Sequence, residues 1–253
     1  MRIEGSSAFV TGGGSGLGEA TARMLAGLGA VVHVFDRNGE AAAKVARDIG
    51  GVPLAGDVTS EEDASRALDV AAKAGDGLRI LVNCAGIGTA GRIVGRQGPM
   101  PLGDFEKVIR INLIGTFNMM RLAADRMAKT PEGEDKARGV IVNTASVAAF
   151  EGQVGQAAYA ASKGGIVSLA LPAAREFSRF GIRVNTVAPG IFLTPLLYEL
   201  PEEAQQSLAA AIPYPSRLGD PGEFADAVRF LIENQYVNGE VIRLDGALRM
   251  QPR

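Results

Sequence analysis

The stretch Thr11-Gly12-Gly13-Gly14-Ser15-Gly16-Leu17-Gly18 follows the apolar run Ser7–Thr11 without a break and leads straight into the helical spacing of Leu17–Leu28. Glycines there let the chain turn sharply and let its backbone approach a pyrophosphate, which would rest on the free amides of a helix N-terminus. The bland alternative is an ordinary strand-to-helix turn. Strand, glycine loop and helix in this order favour the phosphate cradle, with Gly12, Ser15, Gly16, Leu17 and Gly18 as its candidate contacts.

Outward from this loop, short β-branched runs alternate with alanine-rich helical stretches. The predicted strands are Ser7–Thr11, Val31–Phe35, Val52–Ala55, Ile80–Asn83, Val140–Thr144, Arg183–Val187 and Val241–Leu244. Helical segments include Leu17–Leu28, Glu61–Ala74, Asp104–Ala128, Tyr159–Phe180 and Gly222–Asn234. Strands that read as continuous apolar runs are buried on both faces. The pattern predicts an α/β, Rossmann-type doubly wound parallel sheet of about seven strands with helices on both faces. At 253 residues the chain is expected to form a single domain, 1–253. Two stretches that follow strands are expected to be substrate loops: the glycine-rich Ala90–Gly103, read as a mobile surface loop, and the apolar, proline-broken Ile191–Pro215. Lys129–Arg138 reads as a solvated connector.

Composition narrows the function classes. Twenty-six basic residues stand against 28 acidic ones and no polybasic block occurs, so a nucleic-acid partner is not expected. One cysteine, Cys84, excludes an internal disulfide and fits a reducing compartment. One histidine, His33, argues against a histidine-based metal site or triad, and no metal is expected. With no secretory presequence and no apolar run of membrane length, the reading is cytoplasmic, without a membrane partner.

Asp36 ends the second strand 18 residues beyond Gly18. A carboxylate at that point accepts from adenosine ribose hydroxyls and repels a 2′-phosphate, which argues for NAD over NADP. Arg37 beside it would be the residue to host such a phosphate; its other reading is a solvent-facing arginine. Asp57-Val58 follows the third strand, where the adenine edge is expected, although Asp57 could equally help to start the next helix. Asn83-Cys84-Ala85-Gly86 puts small residues where a dinucleotide would cross the sheet, and Cys84 reads as packed rather than nucleophilic.

Tyr159 and Lys163 lie one helical turn apart on one face. An ammonium beside a phenol favours the phenolate, and a phenol so tuned can exchange a proton with a substrate alcohol. Ser146, just past the fifth strand, could polarise a substrate carbonyl beside it. Asn112 is polar within an apolar helical run: either a helix bend or buried amide, or an amide holding a water that relays protons to Lys163.

The ordered set Thr11–Gly18, Asp36, Asn83–Gly86, Asn112, Ser146, Tyr159, Lys163 and Pro189-Gly190 resembles the short-chain dehydrogenase/reductase family over essentially the whole chain. The runs Ala145–Tyr159, Pro215–Pro221 and Asn238–Ala247 resemble one subgroup, the type II (short-chain) L-3-hydroxyacyl-CoA dehydrogenases, also known for 17β-hydroxysteroid oxidation. The resemblance implies NAD-dependent interconversion of a 3-hydroxyacyl-CoA and its ketone, with a short or branched chain, and hydroxysteroids as further substrates. By the same resemblance Tyr159 is the acid/base, Lys163 lowers its pKa and holds the nicotinamide ribose, Ser146 binds the reacting oxygen, and Asn112 supports the relay. NAD would be met by Ser15, Leu17, Asp36, Asp57, Val58 and Cys84, with Ala85 and Gly86 beside them and Phe192 and Thr194 at the nicotinamide end. A homotetramer is implied, built on Asp104–Ala128 and Tyr159–Phe180.

Phe192, Leu193, Leu196, Leu197 and Tyr198 would wall the nicotinamide end, and Arg92 and Arg96 could meet CoA phosphates. Two alternatives stand beside this reading. An NADPH-dependent 3-ketoacyl-(acyl-carrier protein) reductase is opposed by Asp36, and a non-catalytic dinucleotide-binding scaffold by the intact Ser146, Tyr159 and Lys163.

Overall fold

The computed structural model of the protein describes residues 1–198 and 201–252, apart from the side chains of Asp135, Leu196, Tyr198 and Ala204. The chain opens with β1 (Ser7–Thr11), α1 (Gly16–Gly27), β2 (Val31–Asp36), α2 (Gly39–Ile49), β3 (Val52–Ala55), α3 (Glu61–Ala72) and β4 (Leu78–Asn83). A small antiparallel hairpin, β5 (Val94–Gly95) with β6 (Gly98–Pro99), precedes α4 (Leu102–Ile109). A π-helical turn, Arg110–Ile114, joins α4 to α5 (Gly115–Met127). Then come β7 (Gly139–Thr144), α6 (Ala157–Phe177), β8 (Ile182–Pro189), α7 (Pro195–Tyr198), α8 (Glu202–Ala210), α9 (Pro221–Glu233) and β9 (Val241–Leu244).

All seven predicted strands are present, in one parallel sheet of order β3-β2-β1-β4-β7-β8-β9. Every residue of β1 and β7 is buried, as strands covered on both faces require. Successive side chains point to opposite faces. Val10 and Val34 therefore join Leu25, Val228 and Leu231 in one core, while Phe9 and Phe35 join Leu68, Met119 and Met127 in the other. His33 is buried beside Phe9, its ring stacked at 6.4 Å, and so belongs to the core.

The structure adds one helix to those named from the sequence and corrects the sequence reading at three points. Gly39–Ile49 is a helix between two local signals: Asn38 accepts from the amide of Ala41 at 3.1 Å, and Gly50 stops the helix at φ 66°. The stretch Ile191–Pro215, read as neither helix nor strand, holds α7 and α8, and two of its prolines, Pro195 and Pro201, stand at their starts, where a missing N–H costs little. The loop Ala90–Gly103 carries the β5–β6 hairpin and is anchored by the amide of Gly91 donating to Gly155 at 2.8 Å. The single helix expected over Asp104–Ala128 is interrupted by the π-turn around Asn112. No helix among the described residues is long and apolar enough to cross a membrane.

Candidate active site

The chain leaves β1 outward through β2 and β3, then returns to place β4 on the other flank of β1. A crevice opens outside the carboxyl ends of strands at such a reversal. Thr11 closes the joint: its hydroxyl accepts from the amides of Cys84 at 3.2 Å and Ala85 at 3.1 Å and donates to Asn83 at 3.4 Å. Asn83 in turn donates to Asn143 at 2.9 Å, linking β4 to β7.

Here lies a cleft of about 790 Å³, within the range of small-molecule sites. Gly12, Ser15, Gly16, Leu17, Gly18, Asp36, Asp57, Val58, Cys84, Ala85 and Gly86 line it. So do Ser146, Tyr159, Lys163, Phe192 and Thr194. Of the expected catalytic and dinucleotide residues, Asn112 stands behind the wall, fully buried.

The glycine loop has the backbone of a phosphate cradle. Gly12 and Gly16 adopt φ of 63° and 54°, and a Cβ on Gly12 would lie 2.8 Å from the amide nitrogen of Ala85. A Cβ on Gly18 would fall onto the carbonyl oxygen of Gly12. Ser15 stands at the N-cap of α1 yet caps nothing with its side chain, so its hydroxyl remains available to an anion beside the helix start. Asp36 accepts from the amide of Gly14 at 3.0 Å and from that of Asn38 at 2.9 Å, which fixes its carboxylate at the cleft edge. Arg37 is exposed and lines the same edge. These features fit a dinucleotide: loop and helix start for the pyrophosphate, a fixed carboxylate for a ribose.

Asp57 does serve its helix-side role, one oxygen accepting from both the amide and the hydroxyl of Thr59 at 2.8 Å each. Burial pushes the Cys84 thiol up to about 11, which leaves it a packed, inert group. The Phe192 ring packs against Phe224 in the core, edge-on at 6.3 Å.

Ser146, Tyr159 and Lys163 meet on the opposite wall. Ser146 follows β7 and accepts from the amide of Ala148 at 3.1 Å, which anchors its side chain. Lys163 is buried, and its Nζ donates to the carbonyl oxygen of Thr144 at 2.8 Å and lies 5.7 Å from the centre of the Tyr159 ring. The expected lowering of the Tyr159 pKa by Lys163 does not appear among this chain's own groups. Burial raises the phenol, with only a hydrogen bond to Ser146 pulling the other way. Burial also brings Lys163 down to about 8, since an ammonium stripped of water is costly.

Asn112 is wholly committed. Its amide nitrogen donates to the Ile87 carbonyl and the Ser162 hydroxyl, both at 3.0 Å, and its oxygen accepts from the Ile87 amide at 2.8 Å. A water held there would have only spare carbonyl lone pairs to bind, since both N–H groups are used. A Cβ on Gly86 would lie 3.2 Å from the Asn112 oxygen and 3.6 Å from Lys163 Nζ, so the amide buttresses the strip beneath the lysine.

Arg92 and Arg96 sit exposed on the hairpin and are not among the cleft residues. Leu197 lines the cleft, while the side chains of Leu196 and Tyr198 lie outside the described residues. Sequence reasoning missed Gln156 and Met250 in the lining. Gln156 carried a signal in its place just before Tyr159, whereas Met250 reaches the cleft only through tertiary contacts.

Comparison with known proteins agrees with this geometry. The pattern describing short chain dehydrogenases matches residues 6–205. The human protein named 3-hydroxyacyl-CoA dehydrogenase type-2 is 51% identical over 254 residues, covering 99% of this chain and 97% of the relative. The 3-oxoacyl-[acyl-carrier-protein] reductase of Thermotoga maritima is 35% identical over 255 residues, covering 98% and 99%. A crystal structure titled 3-hydroxyacyl-CoA dehydrogenase type-2 from Mycobacterium avium superposes with a TM-score of 0.96 at 46% identity, covering 100% of this chain and 99% of that one.

Proposed function

The chain belongs to the short chain dehydrogenase family, and from that footing we propose that it oxidises the 3-hydroxyl of an acyl-CoA to a ketone with NAD, and runs the reverse reduction. It is an oxidoreductase of a family that works with a nicotinamide dinucleotide. The observation that carries the reading is one cleft with Ser146, Tyr159 and Lys163 on one wall and the glycine loop with Asp36 on the other.

When bound, the nicotinamide supplies the hydride acceptor. The protein's own residues handle the proton and the positioning. The Ser146 hydroxyl holds the substrate oxygen, and Tyr159 takes its proton during oxidation and returns it during reduction. Burial keeps the phenol protonated near neutrality, which suits the reductive direction; oxidation requires the phenolate, so its rate should rise with pH. Lys163, while protonated, favours that phenolate and can hold the ribose hydroxyls. Asn112 is a positioning residue for the strip under Lys163. Gly12, Ser15, Gly16, Leu17 and Gly18 would hold the pyrophosphate, Asp36 the adenosine ribose, Asp57 and Val58 the adenine end, and Cys84, Ala85, Gly86, Phe192 and Thr194 the nicotinamide half.

Asp36 favours NAD over the NADPH-dependent acyl-carrier-protein reductase reading, as does the higher identity to the acyl-CoA enzyme. A cytoplasmic homotetramer completes the proposal. Exposed Phe117 on α5 and Leu171 on α6 support the assembly, as apolar groups that association would cover.

A panel of 3-hydroxyacyl-CoA thioesters of varied length and branching, followed by NADH absorbance, tests the reading. A chain-length optimum is expected, with NADPH a poor substitute in the reverse direction. Tyr159→Phe should lower turnover by about 10²- to 10⁴-fold. Uniform inactivity on thioesters would return hydroxysteroids and other secondary alcohols to the front.

A further inference from the structure

The last described residues, Leu248–Pro252, lie against the turn that leads into the Tyr159 helix. The amide of Met250 donates to Glu151 at 3.0 Å, the Gln153 side chain donates to the carbonyl of Gln251 at 2.9 Å, and the amide of Val154 donates to Pro252 at 3.1 Å. Behind this seam sits a cluster of charges outside the catalytic group. Glu151 pairs with Arg243 at 3.0 Å and Arg249 at 3.4 Å, and Asp245 pairs with the same two arginines at 2.7 and 3.1 Å. The acids are shielded, with side chains 24% and 8% exposed, and so is Arg243 at 24%, whereas Arg249 is 61% exposed; the Arg243 pairs are therefore the less screened. Arg243 also covers the Phe150 ring, 5.4 Å from its centre.

This arrangement delivers Met250 to the wall of the cleft, half-buried, beside the 146–159 segment that carries Ser146 and Tyr159. The hairpin joins the same rim through Gly91 and Gly155. A flexible thioether on a tethered strap is suited to meeting an apolar substrate tail of limited length.

We propose that the strap Leu248–Pro252 sets the length of apolar tail the cleft accepts, with Met250 meeting the tail and Glu151 acting as the positioning residue that holds Met250 in place. The proposal rests on the reading of this cleft as a secondary-alcohol dehydrogenase site. Glu151 grips both the β9 arginine and the tail amide, so losing its charge loosens the strap without removing any group from the reacting centre.

The test measures kcat/KM against chain length for wild type, Met250→Ala, Met250→Trp and Glu151→Gln. Two substrate series are used: 3-hydroxyacyl-CoA thioesters and simple 2-alkanols, each graded from short to long. Met250→Ala should move the optimum to longer tails, by about fourfold in kcat/KM for each methylene newly buried. Met250→Trp should move it to shorter ones. Glu151→Gln should flatten the preference, raising KM for the favoured length more than it lowers kcat. NADH affinity should be unchanged in both Met250 variants, which separates a tail effect from damage to the dinucleotide half. Superimposable profiles for both Met250 variants, or a wild type indifferent to length in both series, would overturn the proposal. If only the alkanols turn over, the acyl-CoA reading fails and the strap is judged on the alkanol series alone.

Discussion

Lys163 spends one ammonium hydrogen on the main-chain carbonyl of Thr144 at 2.8 Å, which pins its Nζ under the cleft 5.7 Å from the Tyr159 ring. The bond orients the cation but does not repay its loss of water, and burial brings the group from 10.5 to about 8.

The consequence is a pH signature in stability. Between about 8 and 10.5 the unfolded chain holds this proton and the folded chain has released it, so stability rises with pH through that window. Below it, burying the charge costs on the order of 3 kcal/mol. Lys163→Met should remove this slope while abolishing turnover. Urea midpoints of both proteins across the window check it, and parallel curves would refute it.

Asp36 is held by two backbone amides and stands beside exposed Arg37. Asp36→Ala should weaken NAD use by about 10- to 100-fold, the worth of hydrogen bonds to a charged group. It should also raise NADP use, since the repelling carboxylate is gone and Arg37 remains. Comparing kcat/KM for the two coenzymes reads the exchange directly.

Gly18→Ala places a methyl on the carbonyl oxygen of Gly12, in a loop whose Gly12 already needs φ 63°. The strain should cost about 1–3 kcal/mol and splay the cradle. Thermal melts with and without NADH should show a lowered midpoint and loss of the coenzyme-induced rise.

Asn112→Leu leaves the Ile87 amide and carbonyl and the Ser162 hydroxyl without their buried partner. A loss of about 3 kcal/mol in denaturant unfolding is expected, together with reduced turnover as the strip under Lys163 shifts. Asn112→Asp keeps the acceptor and should recover part of the stability.

Much of the fold is legible because double burial writes each central strand as an apolar run. Ser7–Thr11 and Gly139–Thr144 end where those runs end. Most of the dinucleotide wall is legible too, since it follows strand ends whose small or acidic residues stand out. The π-turn at Asn112 is marked in sequence only by a polar residue in an apolar run, which leaves a bend and a buried amide equally open, and the structure shows both. The pKa of Tyr159 goes opposite to what its spacing from Lys163 suggests, because spacing gives proximity and only packing gives desolvation. Met250 is invisible in sequence because it depends on Glu151, far upstream.

The place of β1 in the sheet also governs how the molecule is made. On one flank Ser7 pairs with Val31 through a short α1 connection; on the other it pairs with Leu78, after β2, β3 and three helices have been threaded. Closing the longer loop costs more entropy, and parallel pairings of high contact order are slow. The crevice exists only after that second closure. Coenzyme added during refolding should leave the earliest step untouched and act afterwards, by trapping chains that have already brought β4 home.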